Sequence, residues 1–142
     1  MNEIFKNLFV LDLANNHFGD IEFGKVIINK FSKIIKEKNI NAGIKLQLRH
    51  LDTLIQKKYK NDKKNKFIKR FNETKITSNQ FYQLVKTIKD NNITSISTPF
   101  DEQSISDLIN MNIDILKIAS CSATDKNLIK EVSRYNKPII VS

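Results

Sequence analysis

Residues 42–49, AGIKLQLR, decide the fold class because apolar and polar side chains alternate along them at the spacing of a β-strand. Three aliphatic side chains fall on one face of such a strand and three polar side chains on the other: Ile44, Leu46 and Leu48, against Lys45, Gln47 and Arg49. The aliphatic face is typical of a sheet covered by helices. The polar face then points to a barrel interior or its mouth, where a buried ammonium is costly unless an anion meets it.

The rest of the chain alternates apolar runs of strand length with helical patterns. Strands are predicted at residues 8–13, 42–48, 94–98, 113–118 and 138–141, and helices at 20–38, 77–91, 101–110 and 125–135. Capping residues begin each helix: Asp20, Thr77 with Gln80 as a capping box, Asp101 and Asp125. Five strands joined by four helices predict a parallel sheet in an α/β protein, which fits either a doubly wound sheet or a barrel.

Composition predicts a single soluble domain, residues 1–142. Hydrophobic residues make up 40% and charged residues 27% of the chain, which excludes disorder and fibrous classes. The single cysteine, Cys121, cannot form an internal disulfide, so we expect a reducing cytoplasm and interpret its thiol as buried and inert. No apolar run is long enough to cross a membrane, and no G-x-G-x-x-G motif follows the first strand.

The formal net charge of +9 is concentrated in one segment. Residues 57–75 hold nine Lys or Arg and only two acidic residues, inside a predicted basic loop insertion at about residues 51–75. One interpretation is an anion-attracting loop that steers a charged substrate or touches nucleic acid. The other, which we favour because no nucleic-acid motif accompanies the charge, is a solvated and mobile insertion.

Polar residues gather at the predicted carboxyl ends of all five strands, the edge where parallel barrels and open sheets place their active sites. They are Asp12, Asn15, Asn16 and His17, then Lys45 and Gln47, then Thr98 with the aromatic Phe100 after it, then Lys117 and Ser120, and finally Ser142. The fourth strand repeats the pattern of the second, with Lys117 on the inner face. Two inward lysines predict a phosphate or carboxylate ligand, although an internal salt bridge to Asp12 is the alternative.

Five segments in chain order resemble the N-terminal half of the sialic acid synthase (N-acetylneuraminate synthase) family of phosphoenolpyruvate-condensing TIM barrels. They are LDLANNHFG at residues 11–19, KLQ at 45–47, STPFD at 97–101, KIAS at 117–120 and KPIIVS at 137–142. The resemblance implies a partial (β/α)8 TIM barrel of about five parallel strands and four helices. It also implies an enzyme that joins phosphoenolpyruvate to the aldehyde of an N-acetylated aminosugar, releasing phosphate and forming a nonulosonic acid.

The resemblance also assigns roles. It implies that phosphoenolpyruvate is held by five residues: Lys45, Thr98, Lys117, Ser120 and Ser142. It implies catalytic positions at Asp12, Lys45, Gln47 and Lys117, and contacts to the sugar or its metal at Gln47, Asn16, His17 and Phe100. A divalent metal, Mn or Mg, is implied for the full-length enzyme, with histidine ligands beyond residue 142 and none within the chain.

Two departures from the family pattern bear on these roles. Asp12 stands where the family usually has glutamate, and Ser122 where better-known members have a glutamate close to the reacting carbons. We expect little turnover from the 142 residues alone, no nucleic-acid or membrane partner, and a full-length protein compatible with a homodimer. The alternative function is a non-catalytic anion-binding or interaction module that uses the basic loop at residues 57–75.

Overall fold

A computed structural model describes residues 3–60, 62 and 64–142. Five strands form one sheet: β1 (Phe9–Ala14), β2 (Ala42–Leu48), β3 (Thr94–Pro99), β4 (Ile115–Ile118) and β5 (Ile139–Val141). The described residues also form six α-helices: α1 (Ile21–Glu37), α2 (Leu51–Leu54), α3 (Lys66–Glu73), α4 (Ser78–Asp90), α5 (Glu102–Asn110) and α6 (Lys126–Val132). Short 3-10 turns lie at Glu3–Phe5, Lys57–Tyr59 and Ser120–Ser122.

Strand order decides between the two architectures that the sequence pattern allows. The strands pair in parallel in the order β1-β2-β3-β4-β5, without a reversal. A doubly wound sheet reverses its order at a switch point, whereas right-handed crossovers that always advance in one direction place every helix on the same face. The chain is therefore part of a TIM barrel, as the resemblance implies.

The core lies between the outer face of the sheet and the helices. Ile44 and Leu46 of β2 and Leu116 of β4 are fully buried in one cluster with Leu84 and Ile88 of α4. The aliphatic face of residues 42–49 is thus the helix-covered face, as the alternation predicts. Burial of these side chains removes apolar surface from water and fixes which face of each strand looks inward.

Capping chemistry sets the helix boundaries. All four predicted N-caps are confirmed: Asp20, Asp101 and Asp125 accept main-chain hydrogen bonds, and Thr77 forms a complete capping box with Gln80. At the other end, helices α1, α4 and α5 are followed by an asparagine with positive φ and then an isoleucine. In each case the isoleucine N–H donates back to a carbonyl five residues earlier, a Schellman closure.

The basic segment differs from the expected mobile loop. It contains α2, the turn at Lys57–Tyr59 and α3, and a small cluster of Leu51, Ile55 and Ile68 closes around them with Phe71 packed against it. The predicted loop is therefore helical in much of its described part, while most of these residues are exposed, as expected for a solvated insertion. Within residues 3–60, 62 and 64–142, no helix is long and apolar enough to span a bilayer.

Candidate active site

The register of the sheet brings two of the predicted catalytic residues side by side. Asp12 of β1 pairs with Lys45 of β2, which in turn pairs with Ile96 of β3. Ile96 is fully buried yet does not belong to the helix-covered cluster, so this row faces the barrel interior. A break in register after Asp12 ends the strand in a bulge at Ala14, whose φ of 50° turns the chain toward Asn15 and Asn16.

Lys45 is the most deeply buried cation of this face. Its side chain is 8% exposed, and its ammonium donates to Asp12 Oδ1 at 2.8 Å, while the Asp12 side chain is 53% exposed. The internal salt bridge left open by the sequence therefore exists. It uses one of the three N–H donors of Lys45, and no other described residue takes the remaining two. The ion pair therefore leaves the ammonium capacity for an anion.

Thr98 and Lys117 continue the inner face toward the carboxyl edge. Thr98 pairs with Gln47, and the pairing of Ser97 with Leu116 makes Lys117 the next in-register neighbour of Thr98. Thr98 is 1% exposed and its hydroxyl has no hydrogen-bond partner. Lys117 is half-buried, and its ammonium makes no ion pair with any residue of the described part of the chain.

Strand geometry gives the spacing of the two lysines. They lie two strands apart, and Lys117 is two residues closer to the carboxyl edge than Lys45, which places their Cα atoms on the order of 12 Å apart. Two extended lysine side chains on one concave face can approach a single small anion from that distance. The unpartnered Thr98 hydroxyl lies on the strand between them.

A stacked arginine closes the mouth of the site. The Arg49 guanidinium carbon lies 4.4 Å from the ring centre of Phe71 and 4.9 Å from that of Phe100, so the cation is held between two aromatic faces. Arg49 Nη2 donates to Gln47 Oε1, which fixes the orientation of that amide. Burial, followed by the nearby Arg70, lowers the pKa of Arg49. The sequence placed Arg49 on the inner face but gave it no role.

The remaining predicted residues are spread around the same edge. Asn16 is exposed and accepts a 3.4 Å hydrogen bond from Arg70. His17 is 2% exposed, its Nδ1 accepts from the Gly19 N–H, and burial lowers its pKa. It packs where Gly24 of α1 makes room, because a Cβ at Gly24 would lie 3.2 Å from the Cβ of His17. These contacts give His17 a structural role, and its predicted sugar contact stays a prediction.

The predicted site residues that follow β4 and β5 are exposed to solvent. Ser120 and Ser142 are exposed, and the Ser142 N–H donates to the Ile118 carbonyl. Cys121 is exposed as well, so the prediction of a buried thiol is wrong, because the turn at Ser120–Ser122 lifts it out of the core. Within the described residues, no group of three or more His, Cys, Asp or Glu could hold a metal ion.

The model of the NeuB family matches residues 34–142, from the end of α1 through β5. The chain belongs to the NeuB family. It spans between 34% and 42% of the length of the curated relatives that it matches.

Three proteins illustrate the likeness of this NeuB-family chain. A protein described as spore coat polysaccharide biosynthesis protein E of Chromobacterium violaceum is 39% identical, with a TM-score of 0.92 over 96% of this chain and 40% of its own. A pseudaminic acid synthase of Campylobacter jejuni is 28% identical over 146 residues, covering 96% of this chain and 41% of that enzyme. An N-acetylneuraminic acid synthetase of Leptospira borgpetersenii shares the fold, with a TM-score of 0.77 at 21% identity over 95% of this chain and 43% of its own.

Proposed function

We propose that this chain forms the phosphoenolpyruvate-binding part of a nonulosonic acid synthase. The reaction joins C3 of phosphoenolpyruvate to the aldehyde carbon of an open-chain N-acetylated aminosugar, whose aldehyde oxygen becomes a hydroxyl. Water adds to C2, the bond between C2 and the bridging oxygen breaks, and inorganic phosphate leaves as C2 becomes a ketone. The named relatives support the class, since the C. jejuni protein is a pseudaminic acid synthase and another relative from that organism is an N,N'-diacetyllegionaminic acid synthase. The acceptor sugar of this chain is part of the proposal.

One observation carries the proposal: the buried Thr98 hydroxyl has no partner and lies on the strand between two inward lysines. A buried hydroxyl without a partner costs free energy, and a charged ligand oxygen that accepts from it removes that cost. Phosphoenolpyruvate carries both a carboxylate and a phosphate. It therefore offers one anionic group to Lys45 and another to Lys117, with Thr98 donating between them.

The same groups act on the reaction. Fixed donors stabilise the negative charge that collects on the bridging oxygen as its bond to carbon breaks. Lys45 keeps its contact with Asp12 while it does so, and the partly exposed Asp12 carboxylate connects this ion pair to solvent. Gln47, held by Arg49, presents its amide N–H donors to the acceptor.

The described residues contain no group of three or more His, Cys, Asp or Glu for the metal that the resemblance implies. The chain also spans well under half of its curated relatives. We therefore propose that the 142 residues bind phosphoenolpyruvate but form little condensation product alone. Product formation by the purified chain with phosphoenolpyruvate, Mn²⁺ and N-acetylmannosamine contradicts that statement.

Binding measured by isothermal titration calorimetry tests the proposal. Lys45→Met removes the ammonium while keeping the length of the side chain, and we expect it to weaken phosphoenolpyruvate binding by at least about tenfold. Lys33→Met is the matched control, because Lys33 is an exposed lysine on α1. Equal affinity in wild type and Lys45→Met refutes the assignment of the site.

The interaction-module alternative makes a different prediction. If the basic segment meets a polyanion, charge reversal at Lys57 and Lys64 abolishes a strongly salt-dependent binding to nucleic acid. Under the proposed function the same double variant binds phosphoenolpyruvate as tightly as wild type. The folded cluster under the segment, with Phe71 stacked on Arg49, supports a role at the mouth of the barrel.

A further inference from the structure

A cavity lies beside the stacked Arg49 side chain. It has a volume of about 490 Å³, and four aromatic residues line it together with Arg49. We call it the aromatic cavity, and its rings are those of Tyr59, Phe67, Phe71 and Phe100. Three of the four rings come from the basic segment, so the insertion builds most of this aromatic wall.

A cationic side chain lies over each of the four rings. Arg49 stacks on Phe71 and Phe100, as described above, and two lysines cover the others. Lys58 Nζ lies 4.7 Å from the ring centre of Tyr59, and Lys66 Nζ lies 5.7 Å from that of Phe67. Among the described residues, no Asp or Glu lines the cavity. The cavity therefore has a largely apolar surface and a positive electrostatic potential.

Arg49 is left without a counter-ion. Its one hydrogen bond goes to the neutral amide of Gln47, and its Nε is buried without a partner. Among the described residues no carboxylate reaches it, and Arg70 adds positive charge nearby. A guanidinium without a bound carboxylate is suited to binding a ligand carboxylate or phosphate, because its planar N–H donors match two oxygens at once.

We propose that the aromatic cavity binds an oxyanion carried by the acceptor substrate, with Arg49 as the residue that recognises it. The inference rests on the proposed function, which supplies the acceptor substrate. Arg49 donates to Gln47 and stacks on Phe100, and the resemblance assigns both residues to the sugar. The acceptor is then an aminosugar aldehyde bearing a phosphate ester or a carboxylate. Its apolar substituents lie against the rings.

Cys121 provides a direct reporter, because it is exposed, lines the same cavity and is the only cysteine of the chain. The experiment compares alkylation of the intact 142-residue chain by iodoacetate, an anion, and iodoacetamide, its neutral analogue. The ratio of the two rates cancels any effect of Arg49 on thiol ionisation, which speeds both reagents equally. We expect Arg49→Gln to lower the iodoacetate-to-iodoacetamide ratio at least about fivefold.

Three variants make the result interpretable. Arg49→Lys keeps the charge and is expected to keep most of the ratio. Arg134 is an exposed arginine that pairs with Glu131 and does not line the cavity, so Arg134→Gln leaves the ratio unchanged. An unchanged ratio in Arg49→Gln overturns the proposal. If Arg49→Gln does not fold, the titration of the wild-type Arg49 Nε–H signal by NMR takes its place, and a signal that phenyl phosphate does not shift overturns the proposal equally.

Protection experiments identify the oxyanion. Phenyl phosphate and phenylacetate are the probes for a phosphate ester and a carboxylate, and benzyl alcohol is the neutral probe. Protection of Cys121 by either anion but not by benzyl alcohol supports the proposal and names the group, whereas equal protection by benzyl alcohol overturns it. Phosphoenolpyruvate binding that survives in Arg49→Gln but fails in Lys45→Met separates this site from the proposed function.

Discussion

Replacing Thr98 by valine should make the free chain more stable and a poorer binder of phosphoenolpyruvate. Threonine and valine have nearly the same shape and both suit a strand, so the substitution exchanges one buried hydroxyl for a methyl group. Thr98 is 1% exposed, and its hydroxyl is buried without a hydrogen-bond partner among the described residues. Burying an unsatisfied hydroxyl costs about 1–3 kcal/mol, so Thr98→Val is expected to raise the free energy of unfolding by about 1–2 kcal/mol.

The ligand reverses the sign of the comparison. At a phosphoenolpyruvate concentration of about 100 times the wild-type Kd, binding stabilises wild type by about 2.7 kcal/mol. Loss of one hydrogen bond to a charged oxygen weakens binding about tenfold, which reduces the stabilisation of Thr98→Val to about 1.4 kcal/mol at the same concentration. Urea unfolding with and without phosphoenolpyruvate measures both quantities on one sample.

Ser97→Ala is the matched control from the adjacent position. Ser97 is also fully buried, but its hydroxyl donates to the Leu46 carbonyl at 3.4 Å on the helix-covered side. The variant should lose about 0.5–1.5 kcal/mol of stability and keep its affinity for phosphoenolpyruvate. A Thr98→Val chain that is less stable than wild type, or one that gains as much from the ligand, refutes the reasoning.

Three further predictions concern charge. Asp12→Asn leaves the buried ammonium of Lys45 without its carboxylate, and because Asp12 is half exposed we expect a loss of about 1–2 kcal/mol in urea unfolding, absent in Asp12→Glu. Burial lowers the pKa of His17 below its usual 6.5, so the unfolded chain takes up the proton first: stability is full above about pH 6.5 and falls as the pH drops through the folded pKa. His17→Asn should flatten that slope between pH 7 and pH 5, and an unchanged slope contradicts the assignment. Burial opposes ionisation of Asp114, but hydrogen bonds from Ser95 outweigh it and lower the pKa of Asp114. Asp114→Asn should therefore have a lower free energy of unfolding than wild type at pH 7, and this difference should shrink as the pH falls below about 4.

Local signals account for what the sequence predicted well. Caps at Asp20 and Thr77 act within three residues of themselves, so their hydrogen bonds could be expected from the chain alone. The repeated Asn-Ile pairs at residues 39–40, 92–93 and 112–113 are an equally local signal for helix ends that our sequence analysis did not use. The inward face of β2 followed from alternation, which depends only on the strand period.

The two errors have different causes, a contact between helices and a short turn. Residues 51–75 looked like a loop because their charge hides the short apolar cluster of Leu51, Ile55 and Ile68, which forms only when α2 and α3 fold against each other. Cys121 looked buried because the turn after β4 could not be foreseen from the apolar run before it. For residues 51–75 the missing information was a contact between two helices, and for Cys121 it was the geometry of a short turn.

By itself the sequence determined which residues form strands and helices and which strand faces carry Lys45, Gln47 and Arg49, because those properties follow from neighbours a few positions away. Only the tertiary structure decided that the strands advance without reversal, that Asp12 meets Lys45, and that Arg49 lies between Phe71 and Phe100 without a carboxylate. Such pairs join residues tens of positions apart. Their meeting is fixed by the crossovers and the register of the whole sheet, which no local pattern encodes.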